Sequence, residues 1–319
     1  LMDMFINFLV AAVLAGASLL YGTVGEIINQ KSGHLNLGVE GMMAIGACAG
    51  FMAGYRFDSL IIAIIAAFLS GAAAALIYAV LTVTFMADQN VTGLTLTIFG
   101  CGLSNFIGEY NITRSETGNL KLPEHIMSQL RNIHIPVLSD IPVVGKLLFS
   151  YNIFIYLGVI IAIIVYIYLF KTKTGLNLRT IGENPAAADA VGIHVVRSKY
   201  INLLIGGGIC GIGGAYCSMI VCGGVWMSDS VNGMGWISVA LVIFAAWSPL
   251  KAIGGSLVFG AFSVLKYYMP KSVITLPNAF YDMLPFVITA LILVITSVRK
   301  NKGRMQPASC GVNYFREER

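Results

Sequence analysis

KTKTGLNLRTIGENPAAADAVGIHVVR, from Lys171 to Arg197, separates two apolar runs, Ile153 to Phe170 and Tyr200 to Cys222. Each run has roughly the 20 residues that cross about 30 Å of hydrocarbon. The composition agrees, with 57% hydrophobic residues, 11% charged residues and a mean hydropathy of +0.81. The sequence therefore predicts an all-α, polytopic transmembrane bundle that forms one membrane domain over residues 1–319, rather than a soluble domain with a large core.

Apolar runs along the rest of the chain predict about eight to ten membrane spans. The clearest runs are Met4 to Glu26, Leu60 to Met86, Ile153 to Phe170, Tyr200 to Cys222 and Phe280 to Val298. Four weaker runs, richer in Gly, Ser and Thr, are Leu37 to Gly54, Val91 to Ile107, Ile237 to Trp247 and Ala252 to Leu265.

Charge is distributed unevenly between the predicted loops. Residues 171–199 hold five basic and two acidic residues, and residues 299–304 hold four basic residues, whereas residues 109–146 hold four of each sign. The positive-inside rule predicts a cytoplasmic loop over 171–199, a cytoplasmic tail over 299–319 and an extracytoplasmic loop over 109–150. The basic residues behind the net charge of +5 are thus distributed as in a protein of the cell membrane, and they give no reason to expect binding to nucleic acid.

The basic loop contains a compact helix with both ends specified. Asn184 is a good N-cap and Pro185 suits the first helical position. Residues 186–191 favour helix, and Gly192 is placed to end it. Such a short, rigid helix at the cytoplasmic surface is typical of a docking element for a soluble partner.

A polar segment, GEIINQKSGHLNLGVEG, follows the first apolar run from Gly25 to Gly41. Non-helical backbone with polar side chains is tolerated at membrane depth only where it is buried in protein or lines a water-filled cavity. The segment therefore supplies candidate residues for a translocation path, namely Glu26, Asn29, Asn36 and Glu40. Lys31 is the nearest candidate partner for the two carboxylates. An ordinary connector at the membrane interface is the alternative.

Neutral polar residues in a later span extend the candidate path. Thr92 and Asn105 could offer hydrogen bonds to a solute, although Thr hydroxyls often bond back to their own helix. A path with few fixed charges suits a small, neutral polar solute. The sequence has no G-x-x-x-x-G-K-[ST] motif and no Cys/His cluster with metal-ligand spacing, so we expect neither an ATP site nor a metal on this chain.

Small residues and tryptophans give two further expectations. Stripes at four-residue spacing, Gly46/Gly50/Gly54 and Gly207/Gly211/Ala215, favour close helix packing inside the chain, with a subunit interface as the alternative. Trp226, Trp236 and Trp247 are typical of the aromatic belt at a membrane interface.

Two stretches together carry a family resemblance: GEIINQKSGHLNLGVEGMMAIGA, Gly25 to Ala47, and GLNLRTIGENPAAADAVGI, Gly175 to Ile193. They resemble the permeases of ABC importers in the branched-chain amino acid, ribose and simple-sugar group. The likeness is strongest to the smaller permease subunit of basic-membrane-protein-type nucleoside importers, including the ending Asn313 to Arg319. It runs over nearly the whole chain and implies a type II ABC importer-like bundle, a transport subunit rather than an enzyme.

The resemblance also implies partners and roles. The partners are a homologous permease subunit, expected as a heterodimer, a cytoplasmic ABC ATPase that carries ATP and Mg²⁺, an extracellular solute-binding lipoprotein, and a nucleoside or related solute. In the family, the counterpart of Glu183 to Gly192 is the coupling helix, which sits in a groove of the ATPase. The residues assigned to coupling on this basis are Arg179, Glu183, Asn184, Pro185, Ala187, Asp189 and Gly192.

Other functions stay open on the sequence. A simple-sugar or branched-chain amino acid permease fits the same motifs. An ion-coupled secondary transporter would use Glu26 and Glu40 as proton carriers. A membrane scaffold or a channel without a pump cycle is a further alternative.

Overall fold

The structure, a computed structural model, describes residues 2–115, 118–133, 145, 147, 149–268, 277–299 and 306–315. Within these residues the chain is almost entirely helical. The helices are α1 (Met2–Lys31), α2 (Val39–Phe57), α3 (Leu60–Ala79), α4 (Gln89–Arg114), α5 (Glu124–Gln129), α6 (Ile153–Lys171), α7 (Lys173–Glu183), α8 (Pro185–Ala190), α9 (Val195–Tyr216), α10 (Met234–Phe244), α11 (Pro249–Tyr268) and α12 (Asn278–Arg299). Short π-helical turns, Val80–Thr84 and Cys217–Val221, extend α3 and α9.

The all-α, polytopic fold class is confirmed, and each of the nine predicted apolar runs coincides with a helix. Among the described residues, six helices are long and apolar enough to cross a membrane. These are Met4–Lys31, Leu60–Thr84, Gln89–Arg114, Ile153–Lys171, Val195–Val221 and Pro249–Tyr268. The 19-residue α2, which contains Glu40 and Arg56, is not among these six.

The run Ile237 to Trp247 does not form a complete span. Its helix, α10, has 11 residues and therefore rises about 16 Å, roughly half of the hydrocarbon thickness. Before it, residues 222–233 run without regular helix between the end of the second π-helical turn and Gly233. The non-helical residues 222–233 and the half-length helix α10 together form what we call the half-helix unit (residues 222–244).

Close backbone contacts hold α2, α3 and α9 together at the centre of the bundle. A Cβ built at Gly46 would lie 2.3 Å from the Gly211 Cα, and one at Gly50 would lie 2.9 Å from the Ala215 Cβ. A Cβ at Gly71 would lie 2.4 Å from the Gly207 carbonyl oxygen. The two predicted stripes therefore face each other, which confirms their use in packing within the chain.

One end of the bundle, which we call the basic end, gathers four segments that are distant in sequence. Ser309 donates its backbone N–H to the Gly182 carbonyl at 3.0 Å, so the segment 306–315 lies on α7. Gln89 links this segment to the loop after α1, donating to Asn313 Oδ1 at 3.0 Å and accepting the Leu35 N–H at 2.8 Å. The α7–α8 segment and the described part of the C-terminal tail thus lie on the same side.

The opposite end contains the described part of the long mixed-charge loop. Helix α4 continues to Arg114, so this loop begins at Ser115, six residues later than the predicted Glu109. Leu122 donates its N–H to the Gly224 carbonyl at 2.8 Å, and Ile133 donates to the Tyr151 carbonyl at 2.9 Å. Pro136 and Pro142 of the predicted loop lie outside the described residues.

Two of the three tryptophans correct the expectation of an aromatic belt. Trp226 and Trp247 are 4% and 6% exposed. Trp226 packs edge-on against Phe51, and Trp247 donates its indole N–H to Gln30 Oε1 at 2.6 Å. Trp226, in the half-helix unit, and Trp247, three residues after it, are therefore both buried in protein.

Candidate translocation site and coupling helix

The carboxylate of Glu40 faces the N-terminus of the half-helix α10. Its two oxygens accept the backbone N–H groups of Gly233 at 2.7 Å and Gly235 at 2.6 Å. A helix N-terminus has unpaired N–H groups and a positive partial charge, so it favours a carboxylate. At Gly235 there is no room for a side chain, because a Cβ would lie 2.5 Å from the Glu40 backbone nitrogen. The acid therefore fixes the position at which α10 starts.

A polar cavity of about 250 Å³ lies beside this contact. Its lining is formed by α2, α4 and the half-helix unit: Glu40, Ala44, Cys101, Ser104, Asn105, Asp229, Ser230, Val231, Asn232 and Gly233. Asn105 and Asp229 form a reciprocal pair, in which Asn105 Nδ2 donates to Asp229 Oδ1 at 2.8 Å and the Asp229 N–H donates to Asn105 Oδ1 at 3.0 Å. The lining thus offers both donors and acceptors to a polar molecule.

The backbone of the half-helix unit is held in uncommon conformations next to the cavity. Asp229 and Asn232 have φ values of 54° and 48°, and Gly233 has a φ of 83°. Asp and Asn tolerate the left-handed region better than most residues, but it is still uncommon for them. The side-chain bonds to Asn105 and Glu40 hold the segment in this shape.

Glu26 lies in a different, fully buried cluster. Its carboxylate accepts Asn29 Nδ2 at 3.0 Å, Gln30 Nε2 at 2.9 Å and the Asn36 N–H at 3.1 Å. Lys31 is not the partner of Glu26 or of Glu40. Both carboxylates instead accept hydrogen bonds from N–H groups of side-chain or backbone amides. Since Gln30 also accepts the Trp247 indole N–H, the cluster ties the end of α1 to the chain that follows α10.

The structure therefore brings together only part of the predicted path. Glu40 and Asn105 line one cavity, whereas Glu26, Asn29 and Asn36 form the buried cluster, and buried Thr92 lies outside the cavity lining. Asp229 and Asn232 were missed by the sequence analysis. The sequence feature that could have indicated them is the polar string MSDSVNGMG, Met227 to Gly235, which separates two apolar runs.

The predicted capped helix forms at the basic end as α8. Asn184 is its N-cap, and Asn184 Oδ1 accepts the Ala187 N–H at 3.0 Å. The helix ends at Ala190, one residue earlier than predicted, and Gly192 follows with a φ of 87°, a conformation that suits glycine. Ala188 is buried, whereas Ala187, Ala190 and Val191 are exposed and present a small apolar surface.

An amphipathic helix that the sequence analysis missed, α7, precedes this element. Thr172 caps it by accepting the Gly175 N–H at 3.0 Å. Three of the residues assigned to coupling anchor the α7–α8 segment within the chain. Arg179 lies over the Phe170 ring at 5.1 Å, Glu183 accepts the Ala308 N–H at 3.3 Å, and Asp189 accepts the Tyr314 hydroxyl at 3.1 Å.

Comparisons with known proteins agree with this architecture. Residues 7–295 match the family described as branched-chain amino acid transport system / permease component. The guanosine ABC transporter permease protein NupQ of Bacillus subtilis is 32% identical, over 97% of this chain and 96% of NupQ. The nucleoside ABC transporter permease protein NupC of Lactococcus lactis is 31% identical over 94% of each chain. TsgC13 of Haloferax volcanii, provisionally named a glucose ABC transporter permease, is 33% identical over 84% of this chain and 80% of its own.

Proposed function

Because this chain belongs to the family of permease components of branched-chain amino acid transport systems, we propose that it forms the membrane path of an ATP-driven importer for nucleosides. It is a multi-pass membrane protein and a transport subunit, not an enzyme. ATP is hydrolysed on a separate chain of such a transporter, which also includes a solute-binding protein.

The choice of nucleosides rests on the relatives and is consistent with the cavity. NupQ and NupC, named for guanosine and nucleosides, are similar to this chain over almost its whole length. Asn, Ser and Asp side chains line the cavity beside Glu40. These groups suit the hydroxyls and ring nitrogens of a neutral nucleoside better than a phosphate, because the lining contains no Lys or Arg.

The half-helix unit supports a role for this cavity in transport. Discontinuous helices with polar groups at their broken ends are a recurring way to build a solute site within a membrane. In this chain the break places the N-terminus of α10, Glu40 and the Asn105–Asp229 pair around one space. We assign the solute path to this space, with Glu40 and Asn105 as its main residues, and assign Glu26, Asn29 and Asn36 to support of the adjacent loop.

Coupling is assigned to α8. Its exposed Ala187, Ala190 and Val191 form a small apolar surface that fits a groove on an ATPase. The caps at Asn184 and Gly192 keep the helix rigid, so that a push on it would tilt the attached α9. In this arrangement the basic end and the C-terminus face the cytoplasm, and a homologous permease completes the path as the second half of a heterodimer.

Reconstitution with the ATPase, the second permease and the binding protein tests the proposal. We expect guanosine uptake into proteoliposomes that needs ATP and continues after the proton gradient is collapsed. Uptake by this chain alone, driven by a proton gradient, would instead support a secondary transporter.

Glucose is the second candidate solute, because TsgC13 is as similar to this chain as the nucleoside relatives are. A calorimetric screen of the binding protein against nucleosides, sugars and branched-chain amino acids separates the candidates. Binding of glucose without binding of any nucleoside would reassign the solute while leaving the importer assignment intact.

A further inference from the structure

A second cavity, of about 570 Å³, lies at the basic end and is separate from the proposed solute path. It is lined by the turn after α3, the end of α8, the start of α9 and the tail: Thr82, Val83, Met86, Asp189, His194, Val195, Val196, Arg197, Lys199, Tyr314 and Phe315. We call it the tail pocket. Two of its residues, Arg197 and Lys199, are basic, one is a histidine, His194, and one is acidic.

Lys199 is the informative residue in this pocket. It lines the cavity with only 3% of its surface exposed. Among the residues that the structure describes, it has neither an ion-pair nor a hydrogen-bond partner. A buried lysine is almost always paired, because removing an ammonium group from water is costly. Because its side chain lines the cavity and its ammonium has no partner in the described protein, an anion bound in the cavity would supply the missing counter-charge.

The start of α9 provides a second group of donors at the same place. The first helical bond of α9 is the one that the Ser198 N–H makes to the His194 carbonyl at 3.0 Å. The N–H groups of Val195, Val196 and Arg197 precede it and have no helical acceptor. His194, the N-cap residue, does not cap them with its side chain. These unpaired N–H groups, together with the helix dipole, favour an anion.

One acidic residue, Asp189, also lines the pocket. One oxygen of Asp189 accepts the Tyr314 hydroxyl at 3.1 Å, which directs that carboxylate toward the tail. The remaining lining is largely apolar, with Val83, Met86, Val195 and Phe315 beside the cationic groups. The lining thus combines the basic residues Arg197 and Lys199 and one carboxylate with an apolar wall.

We propose that the tail pocket binds one phosphate group of an anionic ligand, with Lys199, Arg197 and the first-turn N–H groups of α9 as its donors. The phosphate belongs either to a phospholipid headgroup or to a free nucleotide or phosphate ion. The apolar wall accommodates the part of the ligand next to the phosphate. The proposal does not depend on the transported solute.

Native mass spectrometry of the full-length chain, purified in detergent with the subunits that accompany it, tests this proposal. Inorganic phosphate, AMP and dioctanoyl phosphatidylglycerol are titrated separately, with dioctanoylglycerol as the phosphate-free control. We expect one stoichiometric adduct with a phosphate-bearing probe and none with dioctanoylglycerol. Binding of AMP or phosphate identifies a free ligand, and binding of phosphatidylglycerol alone identifies a headgroup.

Variants locate the adduct. Lys199→Met should weaken binding at least about tenfold, because it removes a charge-assisted hydrogen bond. Val196→Asp places a carboxylate in the first turn of α9, where it stabilises the helix and competes with the anion, so it tests the site even if Lys199→Met misfolds. Lys173→Met, at an exposed lysine outside the pocket, should bind normally.

Equal binding by all three variants, or no binding of any phosphate-bearing probe, would overturn the proposal. Binding that occurs only after Glu317 and Glu318 are both replaced by Gln would assign the pocket to carboxylates of the chain itself, and would also overturn it.

Discussion

Gly46 on α2 and Gly211 on α9 touch directly through their backbones: a Cβ added at Gly46 would lie 2.3 Å from the Gly211 Cα. The contact joins two stripes of small residues that are more than 150 residues apart in the sequence. Because lipid provides no hydrophobic drive between helices, such close packing is a main source of bundle stability.

We predict that Gly46→Ala destabilises the folded chain by about 1–3 kcal/mol through overpacking. Gly102→Ala is the matched control, since a Cβ at Gly102 has nothing within 4 Å. Alanine has a helix propensity about 1 kcal/mol better than glycine, so the control should be neutral or slightly stabilised. Thermal unfolding midpoints in detergent measure both changes. A midpoint for Gly46→Ala equal to that of the control would contradict the packing.

Features that depend on local sequence were predicted well. Apolar runs located the helices because burial in lipid requires them to be apolar over their length. The helix α8 was located because its cap, its first-turn proline and its terminal glycine act within a few residues of one another. The stripes were recognised from their spacing of four residues, although the sequence could not identify which helices they join.

Features that depend on long-range contacts were not predicted. The partners of Glu40 are backbone N–H groups 193 and 195 residues away, so neighbouring residues such as Lys31 gave a wrong partner. The run Ile237 to Trp247 was counted as a span although it has only 11 residues, and the sequence did not show that α2 and α4 hold the break before α10 through hydrogen bonds. Helix α7 was missed because its amphipathic pattern is short and occurs in a basic segment assigned to a loop.

Glu40→Gln tests the carboxylate at the start of α10. The amide keeps the shape but can accept only one of the two N–H groups, and its NH₂ group would face the other. We expect a loss of about 1–3 kcal/mol of stability, since a buried donor is left unpaired, and impaired uptake. Uptake assays and unfolding midpoints measure the two effects.

Glu109→Gln is the control for this prediction. Glu109 also bonds the half-helix unit, accepting the Ser228 hydroxyl at 2.6 Å, but it is exposed. Its replacement should change stability by less than about 1 kcal/mol. If Glu109→Gln impaired uptake as much as Glu40→Gln, the special role of the α10 N-terminus would be refuted.

Asn105→Ala tests the reciprocal pair at the cavity. The change removes both hydrogen bonds to Asp229 and releases one side of the half-helix unit, so the KM for uptake should rise while the ATPase activity without solute persists. Asn111→Ala on the same helix removes only a bond to the Ile107 carbonyl and should leave KM unchanged. Equal KM values for the two variants would place the solute elsewhere.

The cap of α8 gives the most direct test of coupling. Asn184→Ala removes the acceptor of the Ala187 N–H and should cost about 0.5–2 kcal/mol of local helix stability, which loosens α8 without disturbing the membrane helices. Gly192→Val adds strain, because a β-branched residue rarely adopts a φ of 87°. The double variant should hydrolyse more ATP per solute imported, measured in proteoliposomes as the ratio of the two rates.

Asn177→Ala, at an exposed asparagine within α7, should keep the normal ratio. Asn177→Ala repeats the Asn-to-Ala change in the same basic segment, and a normal ratio in the double variant would show that force does not pass through α8.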